Sequence, residues 1–306
     1  MVRWSGNLSP LHPKVILSIF LKKEQGEMVA TQFLPERPVP QMEFTYRYYG
    51  AVGGMSPFVA ENSPTPLASV GYEEKVAKCK EVREGDMISE RALKFTAGLR
   101  DVVKDTVEFI TERMMLRKES WVFDKLLADM TADGQPASVN AAAKWDAGSG
   151  AELILGDMAD AITRIKNAGH IKADTMLIGS DGENAIAKAD TLVTWNLAGQ
   201  FGQQQIAEFA VGKLKSLDIY VTDAVVTEDA DQPLENENVS LIPLIADKAL
   251  VFKRGADLGF IGVAESFQSR QFPVEDRRGI ELQMWQSYIP VITRPTHITQ
   301  ITDLMT

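Results

Sequence analysis

The 306-residue chain carries 32 Lys and Arg against 42 Asp and Glu, a formal charge of −10, with 45% hydrophobic and 24% charged residues. These fractions exclude a largely disordered or fibrous chain, and at roughly 100–200 residues per domain the length allows two domains or one elaborated body. The acidic balance argues against a general nucleic-acid binder, which needs clustered Lys and Arg, and the lone cysteine, Cys79, forms no intrachain disulfide, which fits a cytoplasmic folding compartment.

Near the start, the apolar run Val15 to Leu21 is interrupted by Ser18 and followed by Lys22 and Lys23. It is shorter than the roughly 20 apolar residues a bilayer requires and has no small-residue cleavage site after it, so no membrane contact is expected. It reads as a short amphipathic helix opened near Ser9-Pro10. Prolines 10, 13, 35, 38 and 40 make the first 50 residues an extended arm. Its aromatic residues, Trp4, Phe20, Phe33, Phe44, Tyr46, Tyr48 and Tyr49, require a surface to lie on, either the chain's own body or a neighbouring subunit.

Glu43 to Tyr49 alternates like a strand, and residues 50 to 71 are a Gly, Ser and Pro-rich break. Lys75 to Asp86 then reads as a second strand, dense in charge and suited to an exposed or partner-facing hairpin. From Leu99 to Leu127 the period becomes helical. Leu99, Val102, Val103, Thr106, Val107, Ile110 and Met114 form one stripe, while Lys104, Glu108, Glu112, Lys118 and Glu119 lie mostly opposite. A continuous helix here is about 45 Å long. Its β-branched residues lower intrinsic propensity, so packing must hold it, and Asp133-Gly134 marks its end.

After the break at Gly148-Ser149-Gly150, Leu153 to Ala168 reads as a helix capped by Gly169. Thr175 to Gly179 reads as a buried strand, and Ser180 or Asp181 caps a helix running to about Asp190. Leu217 to Val226 reads as a strand, followed by an acidic loop from Glu228 to Glu237. The last third is β: Ala249 to Lys253, Gly259 to Ser266, Ile280 to Ile292 and Thr296 to Ile301. The class is α+β.

The inventory for chemistry is bare. His12, His170 and His297 stand in no metal-binding helical spacing, and no nucleophile elbow, P-loop or dinucleotide fingerprint occurs. Ser180-Asp181-Gly182-Glu183 reads as a helix start, Glu228 to Glu237 as a solvated loop without EF-hand spacing, and Cys79 as an inert side chain. No catalytic, cofactor-binding or metal-ligating residue is assigned, no cofactor is expected, and the chain reads as a non-enzyme.

What remains is organisation, and it carries a resemblance. Lys80-Glu81-Val82-Arg83-Glu84-Gly85-Asp86-Met87-Ile88-Ser89, Arg117-Lys118-Glu119 with Trp121-Val122-Phe123, and Ala173-Asp174-Thr175-Met176-Leu177-Ile178 occur in order. Thr194-Trp195, Gly212-Lys213-Leu214, Asp218 to Asp223, Asp276 to Tyr288 and Pro290 to Pro295 follow. From about Phe33 to Leu304 the chain resembles the major capsid proteins of tailed viruses, the Hong Kong 97-type shell proteins. The resemblance implies an N-terminal arm (1–50), an extended loop hairpin (51–90), a peripheral domain with a long spine helix (91–150), an axial α/β domain (151–250) and closing β strands of both domains (251–306).

It further implies self-assembly as pentamers and hexamers into an icosahedral shell around double-stranded DNA held without sequence-specific binding. The protein would be a virion component assembled in the host cytoplasm, with scaffold, portal and decoration proteins as candidate partners. The first 30 residues depart from a plain arm and suit an added assembly contact. Some relatives crosslink a loop Lys to a neighbour's Asn; Lys75, Lys78 and Lys80 are available, but no Asn partner or catalytic carboxylate is assigned. An encapsulin-type nanocompartment shell is the first alternative, a soluble enzyme with a dispersed site the second.

Overall fold

The computed structural model describes residues 16, 30–50, 72–95, 102–128, 138–146, 153–188, 213–214, 217–222, 225–227, 241–243, 245, 247–274 and 279–305. The Gly148-Ser149-Gly150 break, the Asp133-Gly134 helix end, the Glu228 to Glu237 loop and His12 lie outside them.

The described part of the arm, residues 30–50, lies on its own body. In α1 (Ala30–Phe33) and just after it, Ala30, Phe33 and Leu34 are fully buried, and β1 (Glu36–Pro38) pairs in parallel with Ile261 to Val263. Two strands then make the expected hairpin, β2 (Glu43–Tyr49) antiparallel to β3 (Tyr72–Lys78). The single strand expected from Lys75 to Asp86 is instead two: Cys79 N–H donates to the Met42 carbonyl (2.7 Å) as the last rung of the hairpin ladder, and from Lys80 the chain pairs with Tyr288 and the residues before it. Beyond Cys79, β4 (Lys80–Ser89) joins a different sheet as its edge strand.

That sheet has the order β1-β12-β13-β4, with β12 (Gly259–Val274) and β13 (Gly279–Ile292) as its long centre. β12 runs eight residues past the expected Ser266 end, since Gln268 and the residues after it continue the ladder against Gly279 to Trp285. After α2 (Glu90–Phe95), the 27-residue helix α3 (Val102–Ala128), about 40 Å long, packs against this sheet. Lys118 and Glu119, expected on its polar side, are buried. Lys118 stands four residues from both Met114 and Val122, which are buried, so helical geometry carries it into the apolar stripe.

The second sheet has the order β5-β14-β11-β6-β8-β7, built from β5 (Val139–Asn140), β6 (Thr175–Gly179), β7 (Lys213–Leu214), β8 (Leu217–Thr222), β11 (Lys248–Phe252) and β14 (Ile298–Thr302). The strand expected from Leu217 to Val226 divides into β8 and β9 (Val225–Thr227), the latter pairing with β10 (Leu241–Pro243) in its own two-stranded sheet. β6 and β11 are buried on both faces, as continuous apolar runs require. Met176, Ile178, Ala249 and Val251 face α4 (Ile154–Gly169) and α5 (Ser180–Lys188). Leu177, Leu250 and Phe252 face Phe33, the end of α3 and Tyr288. This second face is the joint that binds the two large sheets together.

α4 ends differently from expectation. His170, not Gly169, takes the left-handed position (φ 53°). Gly169 serves close approach instead, because a Cβ there would stand 2.8 Å from His297 Cδ2. His297 belongs to a short 3-10 turn, Pro295–His297, that opens what sequence alone presents as the start of β14.

Candidate functional site

Two faces follow from the pleat of the hairpin. On the inner face Tyr48 is buried, and Phe44 packs on Phe260 with ring centroids 6.2 Å apart. Phe44 seats there because Gly262 has no side chain; a Cβ would stand 2.8 Å from Phe44 Cζ. The end of the ladder next to the connecting loop is fastened by Tyr49 N–H to the Thr293 carbonyl (2.8 Å) and by the Arg294 guanidinium over the Tyr49 ring (5.1 Å). Lys75 Nζ lies 3.3 Å from the Tyr48 ring centre and Arg47 lies over Tyr72 at 4.6 Å, so two of the hairpin's cations rest on aromatic faces. On the outer face Glu43 stands opposite Lys78 and Arg47 opposite Glu74, with Val76, 62% exposed, between them.

A second exposed apolar feature runs along α3. Phe109 and Leu116 are 53% and 41% exposed, and their seven-residue spacing puts them on one side of the helix. Arg113 lies between them, over the Phe109 ring (5.7 Å) and paired with Glu84 of β4 (3.3 Å).

Three polar joints hold the elements behind these surfaces. Glu36 of β1 is ion-paired with buried Lys118 of α3, whose Nζ also lies 5.6 Å from the Tyr288 ring. Burial pushes the Tyr288 hydroxyl up, opposed by Arg117 and reinforced by Glu36. Asp174 is the second joint: Oδ1 accepts from Arg254 N–H (3.0 Å) and Thr175 Oγ1 (2.9 Å), while Oδ2 pairs with Lys253 Nζ. Burial raises this carboxyl, but the hydrogen bonds and the Lys253 charge outweigh it and hold the group below the usual carboxylate value. Arg254 extends the joint to Tyr220 Oη (2.7 Å) and Asp218 (3.0 Å), and Tyr220 meets Phe33 edge-on at 5.0 Å, so the arm is tied to the same point. In the third, buried Asp157 accepts from Trp145 Nε1 (2.9 Å) and Ala142 N–H (3.2 Å), clasping the segment before α4.

Among solved structures the chain matches a phage-related protein of Bordetella bronchiseptica with a TM-score of 0.70 at 11% identity, over 95% of this chain and 97% of that one. It matches the capsid of the cyanophage P-SCSP1u with a TM-score of 0.63 at 10% identity, over 89% of this chain and 86% of that one. This is the Hong Kong 97-type capsid fold. The SrpI encapsulin of Synechococcus elongatus has the same architecture, with a TM-score of 0.59 at 13% identity over 92% of this chain and 89% of that one. No protein-family model and no curated protein matches the sequence.

The capsid fold disperses the residues singled out for chemistry. His170 is exposed at the end of α4, whereas His297 is buried beside Gly169, and His12 lies outside the described residues. Asp181 and Glu183 sit in the first turn of α5. Cys79 is buried, its burial pushes the thiol up, and it faces the Gly262 carbonyl at 3.7 Å. Of the three candidate crosslinking lysines, Lys75 rests on Tyr48, Lys78 is exposed on the outer hairpin face, and Lys80 lies over Trp121 at 5.5 Å. Among the described residues no three His, Cys, Asp or Glu side chains are grouped to hold a metal ion.

Sequence reasoning missed the joints. Lys118 was detectable, since an i−4 Met and an i+4 Val place it in a buried stripe. Glu36, Asp174 and Arg254 offered no local signal, because their partners lie in other elements.

Proposed function

We propose that this chain is a tailed-virus major capsid protein that self-assembles, as pentamers and hexamers, into an icosahedral shell around double-stranded DNA. The observation that carries this reading is the match over 89% of the chain to a cyanophage capsid subunit. In it α3 serves as the spine helix of a peripheral domain, residues 91–150, and residues 251–306 supply closing strands of both the peripheral and the axial domain. Residues 151–250 serve as the axial domain around the symmetry axes, with 1–50 as the arm and 51–90 as the extended loop overlapping neighbours. The exposed hairpin face around Val76 and the Phe109–Leu116 stripe supply apolar contact area for copies of the same chain. The acidic excess of residues 151–240 leaves packaged DNA ungripped. The subunit is a virion component, with scaffold, portal and decoration proteins as further partners, and works without catalysis or cofactor.

An encapsulin-type shell is the second reading, favoured by the match to SrpI. Electron microscopy of the protein expressed alone, with nucleic-acid analysis of particles from an infected or induced host, tests both. Uniform closed shells are expected, and DNA inside host-derived particles separates the first reading from the second. Phe109→Ser with Leu116→Ser should leave a folded subunit that assembles at least roughly tenfold less well. A wild-type chain that stays monomeric with every co-expressed phage partner would overturn the shell reading.

A further inference from the structure

Residues 293–297 carry no motif, yet three parts of the fold meet on them. The Thr293 carbonyl accepts from Tyr49 N–H and the Arg294 guanidinium lies over the Tyr49 ring, so the loop end of the hairpin rests on this turn. The His297 carbonyl accepts from Lys253 N–H (3.1 Å) at the end of β11, and the His297 ring stands against Gly169 at the end of α4. The turn itself is held by the Leu258 carbonyl, which accepts from Thr293 N–H (2.9 Å), Thr293 Oγ1 (3.1 Å) and Arg294 N–H (3.2 Å).

His297 lies at the centre of this meeting point. It is 3% exposed, and its Nδ1 is buried without a hydrogen-bond partner among the described residues. An unprotonated nitrogen there forgoes one bond, whereas a proton on it adds a charge and a donor with nothing to accept it. The ring already touches the bare backbone of Gly169, so relief lies away from α4, through movement of the turn.

The charges around the ring pull in both directions. Arg294, in the same turn, opposes a proton on the imidazole, while the carboxylate and backbone of Asp257, just before β12, favour one. The end of α4 carries Lys166 and His170, both exposed, and the end of β11 leads into Lys253 and Arg254, matched by Asp174 and Asp218. Burial decides the balance and favours the neutral ring.

We propose that His297 is an acid-sensitive latch: a proton on its ring moves the 293–297 turn off α4 and releases the Tyr49 end of the hairpin. Opening hydrates the imidazole, so proton uptake favours the open form. Arg294 travels with the turn and leaves the Tyr49 ring in the same step. The latch belongs to the folded subunit and does not rest on the shell reading.

Hydrogen–deuterium exchange of the full chain, kept dissociated, read at single amides and corrected for the intrinsic effect of pH, tests it. From about pH 7.5 to about pH 5.5 the Tyr49 and Lys253 amides should open roughly threefold or more. Cys79 N–H, bonded to Met42 at the other end of the hairpin, should not respond. His297→Phe should abolish the response. Asp257→Asn keeps the imidazole but removes the carboxylate that favours its proton, so the closed ring stays neutral to lower pH and the response should grow. An unresponsive wild type, a rise shared equally by Cys79, a response persisting in His297→Phe, or one not enlarged in Asp257→Asn would each overturn the proposal.

Discussion

Asp174 offers a direct measure of how firmly the ends of β6, β8 and β11 are held together beside the arm. Asn in its place keeps the shape and one carbonyl acceptor but removes the charge that Lys253 pairs with and weakens the bonds from Arg254 N–H and Thr175. Hydrogen bonds to a buried charge contribute about 1.5–3 kcal/mol, and an exposed ion pair contributes about 0–1 kcal/mol. The Asp174 and Lys253 side chains are 26% and 31% exposed, between those limits, so Asp174→Asn should cost about 2 kcal/mol at neutral pH. Urea unfolding of the dissociated subunit measures this. The acid dependence supplies a second check: the carboxyl is held below its ordinary value of 3.8, so the native chain binds that proton less readily than the unfolded chain. The contribution is therefore complete above 3.8 and fades as pH falls through the native value, and variant and wild type should converge in acid. A difference under roughly 0.5 kcal/mol at neutral pH, or a gap undiminished in acid, would refute the reasoning.

Gly169→Ala gains up to about 1 kcal/mol of helix propensity but drives Cβ against the His297 ring and to 3.1 Å from the Thr296 carbonyl. A net loss of about 1–2 kcal/mol is expected, seen as a lower thermal midpoint, and a raised midpoint would contradict the close-approach argument. Burial first, and then Arg294, lower the His297 imidazole below its ordinary 6.5 against the opposing pull of Asp257. The unfolded chain thus takes this proton first, so stability is whole above 6.5 and declines as pH falls from there towards the native value. His297→Phe should flatten urea midpoints across that window, and an unchanged slope would assign the pH dependence to other groups.

Elements with a strong period were legible in the sequence. The alternation of Glu43 to Tyr49 and the apolar run Thr175 to Gly179 each produce their element because local pattern and tertiary burial agree there, whereas α3 forms where its period is helical although Lys118 and Glu119 are buried against the pattern. Where partner choice decides, pattern is silent. Nothing local in Lys75 to Asp86 says that the chain changes sheets at Cys79, since both halves are charged strands and only their partners, residues 43–49 and residues 279–288, differ. The polar joints were illegible for the same reason: Asp174 meets Lys253 and Glu36 meets Lys118 only once distant strands are assembled.

The pairing of early strands with late ones also dictates how the chain is made. β1 waits for Ile261 to Val263, β4 for Gly279 to Tyr288, and β5 for Ile301 and Thr302. At about 5–20 residues per second, roughly 10–45 s pass on the ribosome between synthesis of Glu36 and of its partner strand. Through that interval β4 has no sheet to join, and a long unpaired strand invites association with other nascent chains. Lys80, Glu81, Arg83, Glu84 and Asp86 keep it hydrated meanwhile, so the charge that suits a sheet edge in the finished subunit also guards the strand during synthesis.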